Sequence, residues 1–121
     1  MRLQAIPILR IFDEPRARAF YVDFLGMTVD WEHRFDPDSP VYLQVSRDGL
    51  VLHLSEHSGD GTPGSKLLIT MDDLDGYHAE IVAREYRYNR PAIEQAPWGD
   101  RTFEAIDPFG NRLLFNETAP R

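Results

Sequence analysis

Two tryptophans are the side chains of this sequence best suited to bind a flat molecule. Trp98 lies in the segment APWGDRTF between a proline and a glycine, a composition typical of a loop. There it either covers the hydrophobic core or offers a ring face to a ligand. Trp31 falls in a segment whose alternation places it on one side with Val29 and His33. On that side it would be buried against a neighbouring strand or a partner subunit, or would stack on a ligand.

Histidine is the next candidate, because imidazole titrates near neutral pH and can bind metals. His33, His57 and His78 lie on separate predicted elements, without an i, i+4 pair among them that could hold a metal ion on one helix face. His53 alternates with apolar residues in LVLHLSE, so it faces away from the core and serves there as a hydrogen-bonding residue or as a general base. The absence of cysteine excludes disulfides, thiolate catalysis and cysteine-based metal sites.

Composition and charge narrow the class of partner. The chain has 121 residues, 42% hydrophobic and 27% charged, which is typical of one globular domain spanning 1–121. Its net charge of −7 favours a neutral or cationic ligand and argues against nucleic acid, since phosphate binding requires clustered Lys and Arg. No apolar run reaches the roughly 18 residues of a membrane span, and the signal-peptide pattern is missing, so we expect no membrane partner and a cytoplasmic location.

The same order of elements occurs twice along the chain. Each half reads as a strand, an amphipathic helix and three further strands, and a polar segment over 56–65 joins the halves. The first module, 1–57, has a helix between Asp13 and Gly26, and the second, 66–121, has a helix capped by Asp72 or Asp73. The predicted strands are 4–11, 28–35, 41–46, 50–56, 66–71, 92–95, 101–106 and 112–117. A shift of about sixty residues preserves the apolar phase, so the halves are a duplicated βαβββ unit.

The duplication places four side chains at equivalent positions facing away from the core. Ile6 and Lys66 occupy the first strand of each half, and His53 and Leu114 occupy the last. The predicted fold is therefore α+β, with two βαβββ modules forming a curled mixed sheet around a cleft lined by these positions. Lysine repels a cation and the two aliphatic residues cannot ligate one, so we expect neither a metal nor a cofactor.

Two segments carry a resemblance to a known superfamily. RAFYVDFLGMTV, after the first strand, and DPFGNRLLFNE, near the end, together with the paired modules, resemble the vicinal oxygen chelate superfamily. This superfamily contains glyoxalase I, extradiol dioxygenases, fosfomycin-resistance enzymes and bleomycin-resistance proteins. Its metalloenzymes carry His, Gln or Glu at the four inward positions, and this chain departs from them at Ile6, Lys66 and Leu114. The resemblance implies the fold without the metal chemistry.

A closer resemblance is to the bleomycin-resistance branch, whose members bind the drug in grooves of a dimer without catalysis. AIPIL resembles the opening strand, in which the proline matching Pro7 begins an arm that crosses to the partner subunit. EQAPWGDRTFEAIDPFGNRLLFNE resembles the C-terminal segment. In that branch two aromatic residues clamp the planar part of the drug and an acidic residue faces its basic part; Trp31, Trp98 and Asp30 match them. The resemblance implies an arm-exchanged homodimer.

These observations predict a protein that reversibly binds a flat, cationic or polar small molecule, such as a bleomycin-type antibiotic, without chemistry. The expected ligand-binding residues are Trp31, Trp98, Asp30, His53 and Gln44. The two indoles would stack on the ligand, the carboxylate would pair with a cationic group, and the last two side chains would form hydrogen bonds. The alternative is a metal-independent isomerase or lyase in which His53 is catalytic and Lys66 holds a carboxylate or enolate.

Overall fold

A computed structural model describes residues 1–120, which form two four-stranded sheets. The strands are β1 Ile8–Arg10, β2 Thr28–His33, β3 Tyr42–Arg47, β4 Leu50–Ser55, β5 Lys66–Thr70, β6 Glu94–Gln95, β7 Arg101–Ile106 and β8 Arg112–Glu117. The strand order is β1-β4-β3-β2 in the first sheet and β5-β8-β7-β6 in the second. In each sheet the edge strand β1 or β5 is parallel to its neighbour and the other pairs are antiparallel. The predicted fold class, a pair of βαβββ modules, is confirmed.

The register of the parallel pairs repeats between the halves. Ile8 pairs with His53 in the first sheet, and Leu68 pairs with Leu114 in the second, as the duplication requires. The predicted strand over 4–11 is shorter in the structure, because only Ile8–Arg10 pair with a neighbour. Pro7 lacks an N–H group, and its carbonyl accepts a hydrogen bond from the His53 N–H at 3.0 Å, which begins the pairing.

The first helix changes its winding along its length. Asp13 caps α1, Glu14–Arg18, by accepting the Arg16 N–H at 3.0 Å, and a π-helical segment, Ala19–Phe24, follows. One continuous helix with a regular apolar face was the expectation. The winding is wider than expected over Ala19–Phe24, whereas the apolar face is buried as expected through Phe20, Tyr21, Phe24 and Leu25.

The second helix, α2, spans Leu74–Val82 and begins at Asp73, the second of the two predicted caps. The carboxylate of Asp73 accepts the Gly76 N–H at 3.1 Å. A Cβ at Gly76 would lie 2.3 Å from that carboxylate, so a larger residue there would displace the capping side chain from this position. Neither α2 nor any other helix in residues 1–120 is long and apolar enough to cross a membrane.

One hydrophobic cluster contains side chains of both halves. The rings of Phe20 and Tyr86 lie 5.8 Å apart, and the Tyr77 hydroxyl donates to the Leu25 carbonyl at 2.8 Å. Each sheet turns its apolar side toward this shared core. The opposite side of each sheet is therefore open, and the predicted ligand-binding residues must be sought there.

Candidate functional site

A β-bulge in β2 decides which of its side chains face the open side. Val29 pairs with Val45 and Trp31 pairs with Gln44, so Asp30 is an extra residue without an opposite partner. Val29 packs against the core, whereas Trp31 lies on the open face with Gln44. The expectation that Val29 and Trp31 share one side is wrong, because the extra residue reverses the alternation.

Three rings gather on the open face of the first sheet. Trp31 lies nearly parallel to Tyr42, with ring centroids 6.0 Å apart and 9° between the planes. His53 meets both rings edge-on, each at a centroid distance of 5.2 Å. Trp31 remains 44% exposed, so the neighbouring strands do not bury it. These three rings form a partly open aromatic site.

A chain of four polar side chains runs across the aromatic site. Gln44 donates its Nε2 to Asp30 Oδ2 at 3.0 Å, because an ionised carboxylate can only accept. Its Oε1 therefore faces His53 Nε2 at 2.9 Å, which makes Nε2 the protonated nitrogen. The second ring nitrogen, Nδ1, accepts the Tyr42 hydroxyl at 2.7 Å. Both nitrogens of a neutral His53 are thus engaged.

The pKa values agree with this hydrogen-bond pattern. Burial lowers the pKa of His53 and favours the neutral ring. Hydrogen bonds from Gln44 and Ser46 lower the pKa of Asp30, which keeps this exposed carboxylate ionised. Burial, and then the negative charge of Asp60, raises the pKa of Tyr42. At neutral pH the site therefore combines a neutral imidazole and phenol with an anionic rim.

Trp98 lies in the loop between β6 and β7 of the other sheet and does not cover the core. Its loop closes where the Ala96 N–H bonds to the Asp100 carbonyl at 2.7 Å, and Gly99 has a φ of 98°, which favours glycine. The indole is 59% exposed and donates its Nε1–H to Asn116 Oδ1 at 3.2 Å. The structure thus brings four of the five predicted ligand-binding residues together and attaches Trp98 to the second sheet.

His53 is the one side chain at the four inward positions with a lone pair for a metal ion. Ile6 precedes β1 and lies two residues before Ile8, which pairs with His53. Lys66 begins β5 and lies two residues before Leu68, which pairs with Leu114. Lys66 Nζ lies 3.5 Å from a carboxylate oxygen of Glu104 on β7. Within residues 1–120, no group of three or more histidine, aspartate or glutamate side chains is placed to hold a metal ion.

A cavity of about 900 Å³ lies away from the aromatic site, beside the free edge of β5. Its walls include Gln4 and Pro7 of the N-terminal segment and the ion pair between Arg47 and Glu80. Within the described chain, Lys66 is the inward position that borders this cavity, and the five predicted ligand-binding residues do not.

Sequence reasoning overlooked two residues of the candidate site, Tyr42 and Asn116. Tyr42 stands two positions before Gln44 on β3, so strand alternation already placed both on the same side. Asn116 follows an apolar run on β8, and no local pattern marks its contact with Trp98, which is 18 positions distant.

Comparisons with known proteins show the same fold and identify the family. A family model described as glyoxalase superfamily protein matches residues 2–120, and no curated protein matches the chain. A bleomycin resistance determinant encoded on transposon Tn5 is 22% identical, with a TM-score of 0.76 over 98% of this chain and 100% of that one. The bleomycin-binding protein of Streptomyces verticillus, solved with copper(II)-bleomycin, is 28% identical, with a TM-score of 0.68 over 98% of both chains.

A third similar structure is an antibiotic-binding protein, TnmS3, from a Streptomyces species. It is 22% identical to this chain, with a TM-score of 0.64 over 98% of this chain and 99% of that one. One assignment follows from the fold, from the register that repeats between the halves and from the family model. The chain belongs to the glyoxalase superfamily.

Proposed function

We propose that the protein reversibly sequesters a flat, cationic small molecule, such as a bleomycin-type antibiotic, without catalysing a reaction. The observation that carries this proposal is the exposed Trp31 ring beside the ionised Asp30 on one open sheet face. An indole stacks on a planar heteroaromatic group, and a carboxylate pairs with a cation. The net charge of −7 supports the same ligand class by attracting cations, less strongly at physiological salt. The bleomycin-binding neighbours support bleomycin as the first ligand to test.

The contacts of His53 favour sequestration over the alternative, a metal-independent isomerase or lyase. The basic nitrogen of neutral His53 is Nδ1, which already accepts the Tyr42 hydroxyl. Because burial raises the pKa of Tyr42, this hydroxyl is a poor acid near neutral pH. Lys66, the expected holder of a carboxylate or enolate, lies beside the carboxylate of Glu104.

The proposal includes a homodimer with a cytoplasmic location, in which each groove combines the first sheet of one subunit with the second sheet of its partner. This arrangement would let one ligand meet both Trp31 and Trp98, which belong to different sheets. The segment 1–5 is exposed and unpaired, and the cavity at the edge of β5 leaves that strand open to an added strand. Both features support exchange of the N-terminal arm about Pro7.

Titration with metal-free bleomycin tests the proposal. We expect quenching of tryptophan fluorescence, saturation at two ligands per dimer, and recovery of unmodified drug after dialysis. Stacking supplies roughly 1 to 3 kcal/mol per ring face. This is a useful part of the binding free energy of about 8 kcal/mol that corresponds to micromolar affinity. Sedimentation of the full chain should give twice the chain mass. Absence of both heat and quenching at millimolar drug would exclude bleomycin, and a chemically altered drug would exclude pure sequestration.

Lowering the pH is expected to weaken binding of a cationic ligand, with a midpoint below 6.5, the ordinary pKa of histidine. Above this midpoint His53 is neutral and accepts the Tyr42 hydroxyl. Below it the ring carries a positive charge and two donors, so it repels both the ligand and the hydroxyl proton. Asp30 stays ionised in this range because its pKa is lowered.

Calorimetric titrations between about pH 5 and 8 measure this step. His53→Gln should remove the step, since the amide does not titrate. His78→Gln is the matched control, because His78 lies on α2 and contacts the Pro91 carbonyl instead, and it should leave the step in place. A step of the same size in His53→Gln would assign the pH dependence to another group.

A further inference from the structure

We propose that Asn116 and Asp100 are positioning residues that fix the ring plane of Trp98 before the ligand arrives. Neither residue was among the expected ligand-binding residues. The inference rests on the proposed function for its effect on affinity, whereas the orientation of the indole can be measured without any ligand.

The first observation is that an exposed indole is tied to a buried side chain. Trp98 is 59% exposed, yet its Nε1–H donates to Asn116, which is only 3% exposed. An exposed indole N–H could bond to water, so this contact is not needed to satisfy the donor. Its structural consequence is to hold one edge of the ring and leave a face open.

The second observation is that Asp100 sets the direction of the Asn116 amide. An asparagine amide could turn either its oxygen or its NH₂ group toward the indole, and only the oxygen can accept the indole proton. Asp100 Oδ2 accepts Asn116 Nδ2 at 3.0 Å, and a carboxylate cannot donate. The amide is therefore locked with its oxygen toward Trp98.

Backbone hydrogen bonds anchor this chain of hydrogen bonds at Asp100. Asp100 Oδ1 accepts the Ala119 N–H at 2.8 Å, and the Asp100 carbonyl closes the loop by accepting the Ala96 N–H. Asn116 lies in the centre of its sheet, with Thr70 and Thr102 as neighbours on either side. The orientation of the Trp98 ring is therefore fixed relative to the sheet. A side chain ordered in advance loses less rotamer freedom when the ligand binds.

The ligand-free experiment uses the full chain carrying Trp31→Phe, which leaves Trp98 as the single tryptophan, excited at a wavelength that the five tyrosines do not absorb. Asp100→Asn preserves size but keeps only one oxygen. With that oxygen accepting the Ala119 N–H, the NH₂ group faces Asn116, whose amide then turns its own oxygen away from the indole. Asn116→Leu removes both hydrogen bonds at similar volume. Both variants should show faster local indole motion in time-resolved anisotropy and faster exchange of the indole proton.

Asp48→Asn is the matched charge control. It removes an exposed carboxylate in the turn between β3 and β4 and should change neither the anisotropy nor the proton exchange.

A mutant cycle then separates positioning from a general effect on folding. In the protein with both tryptophans, Asp100→Asn should weaken metal-free bleomycin about 2- to 12-fold, the value of one hydrogen bond. In a Trp98→Phe background, which lacks the indole proton, the same substitution should have no further effect. Equal losses in both backgrounds, or unchanged anisotropy in Asp100→Asn and Asn116→Leu, would overturn the inference. If bleomycin binds none of the proteins, the proposed ligand fails while the anisotropy still decides whether Trp98 is positioned.

Discussion

Replacing Trp31 and Trp98 together with alanine is expected to weaken metal-free bleomycin binding by at least about 30-fold, because each stacked ring face contributes roughly 1 to 3 kcal/mol. Each single substitution should cost about 5-fold or more by the same arithmetic. Both rings are exposed, so unfolding by urea should change little in either single variant. Calorimetric titration of the two single variants and the double variant measures the effect.

Tyr88→Ala is the matched control for this double substitution. Tyr88 is an exposed aromatic residue in the segment after α2, and it contacts Tyr86 and Arg87 rather than the aromatic site. Its removal should leave the affinity unchanged. A loss in Tyr88→Ala equal to that of the tryptophan variants, or an unchanged affinity in the double variant, would contradict stacking on Trp31 and Trp98.

The duplicated pattern made most of the fold predictable from sequence. Apolar alternation located the strands. Asp13 marked the start of the first helix and the pair Asp72 and Asp73 that of the second, because a capping carboxylate satisfies free N–H groups. The turn at Asp48 and Gly49 fixes the hairpin register, since Arg47 opposite Leu50 forces Gln44 opposite His53. That part of the candidate site could be derived from local information alone.

The remainder depends on contacts between distant parts of the chain. The bulge at Asp30 contains no glycine and follows no local rule, yet it decides that Trp31 lies on the open face. The bond from Trp98 to Asn116 spans a loop and a strand, so neither position reveals it. The π-helical winding of Ala19–Phe24 likewise follows no local sequence signal, and its buried side chains join the core that both halves share.

Asp107→Ala should lower the free energy of unfolding by about 3 to 5 kcal/mol, because it removes the shared acceptor of a buried hydrogen-bond network. Asp107 is buried; it accepts the Tyr21 hydroxyl at 2.7 Å and the Asn111 side-chain amide at 2.8 Å. It also accepts the backbone N–H groups of Phe109 and Asn111 at 2.9 and 2.8 Å. Urea unfolding measures the loss, with Asp36→Ala, in the exposed segment after β2, as the control.

This network also predicts how the protein unfolds. Tyr21 belongs to the first half and Asp107 to the second, and the amide of Asn111 reaches the Arg10 carbonyl at 2.9 Å. Because these bonds join the halves within one core, the protein should unfold in a single transition by both fluorescence and circular dichroism. Tyr21→Phe, which keeps the ring and removes one donor, should cost only about 1 to 2 kcal/mol and provides a reading if Asp107→Ala does not fold. Two separate transitions would mean that each βαβββ module is stable alone, and a loss below about 1 kcal/mol in Asp107→Ala would mean that water replaces the missing carboxylate.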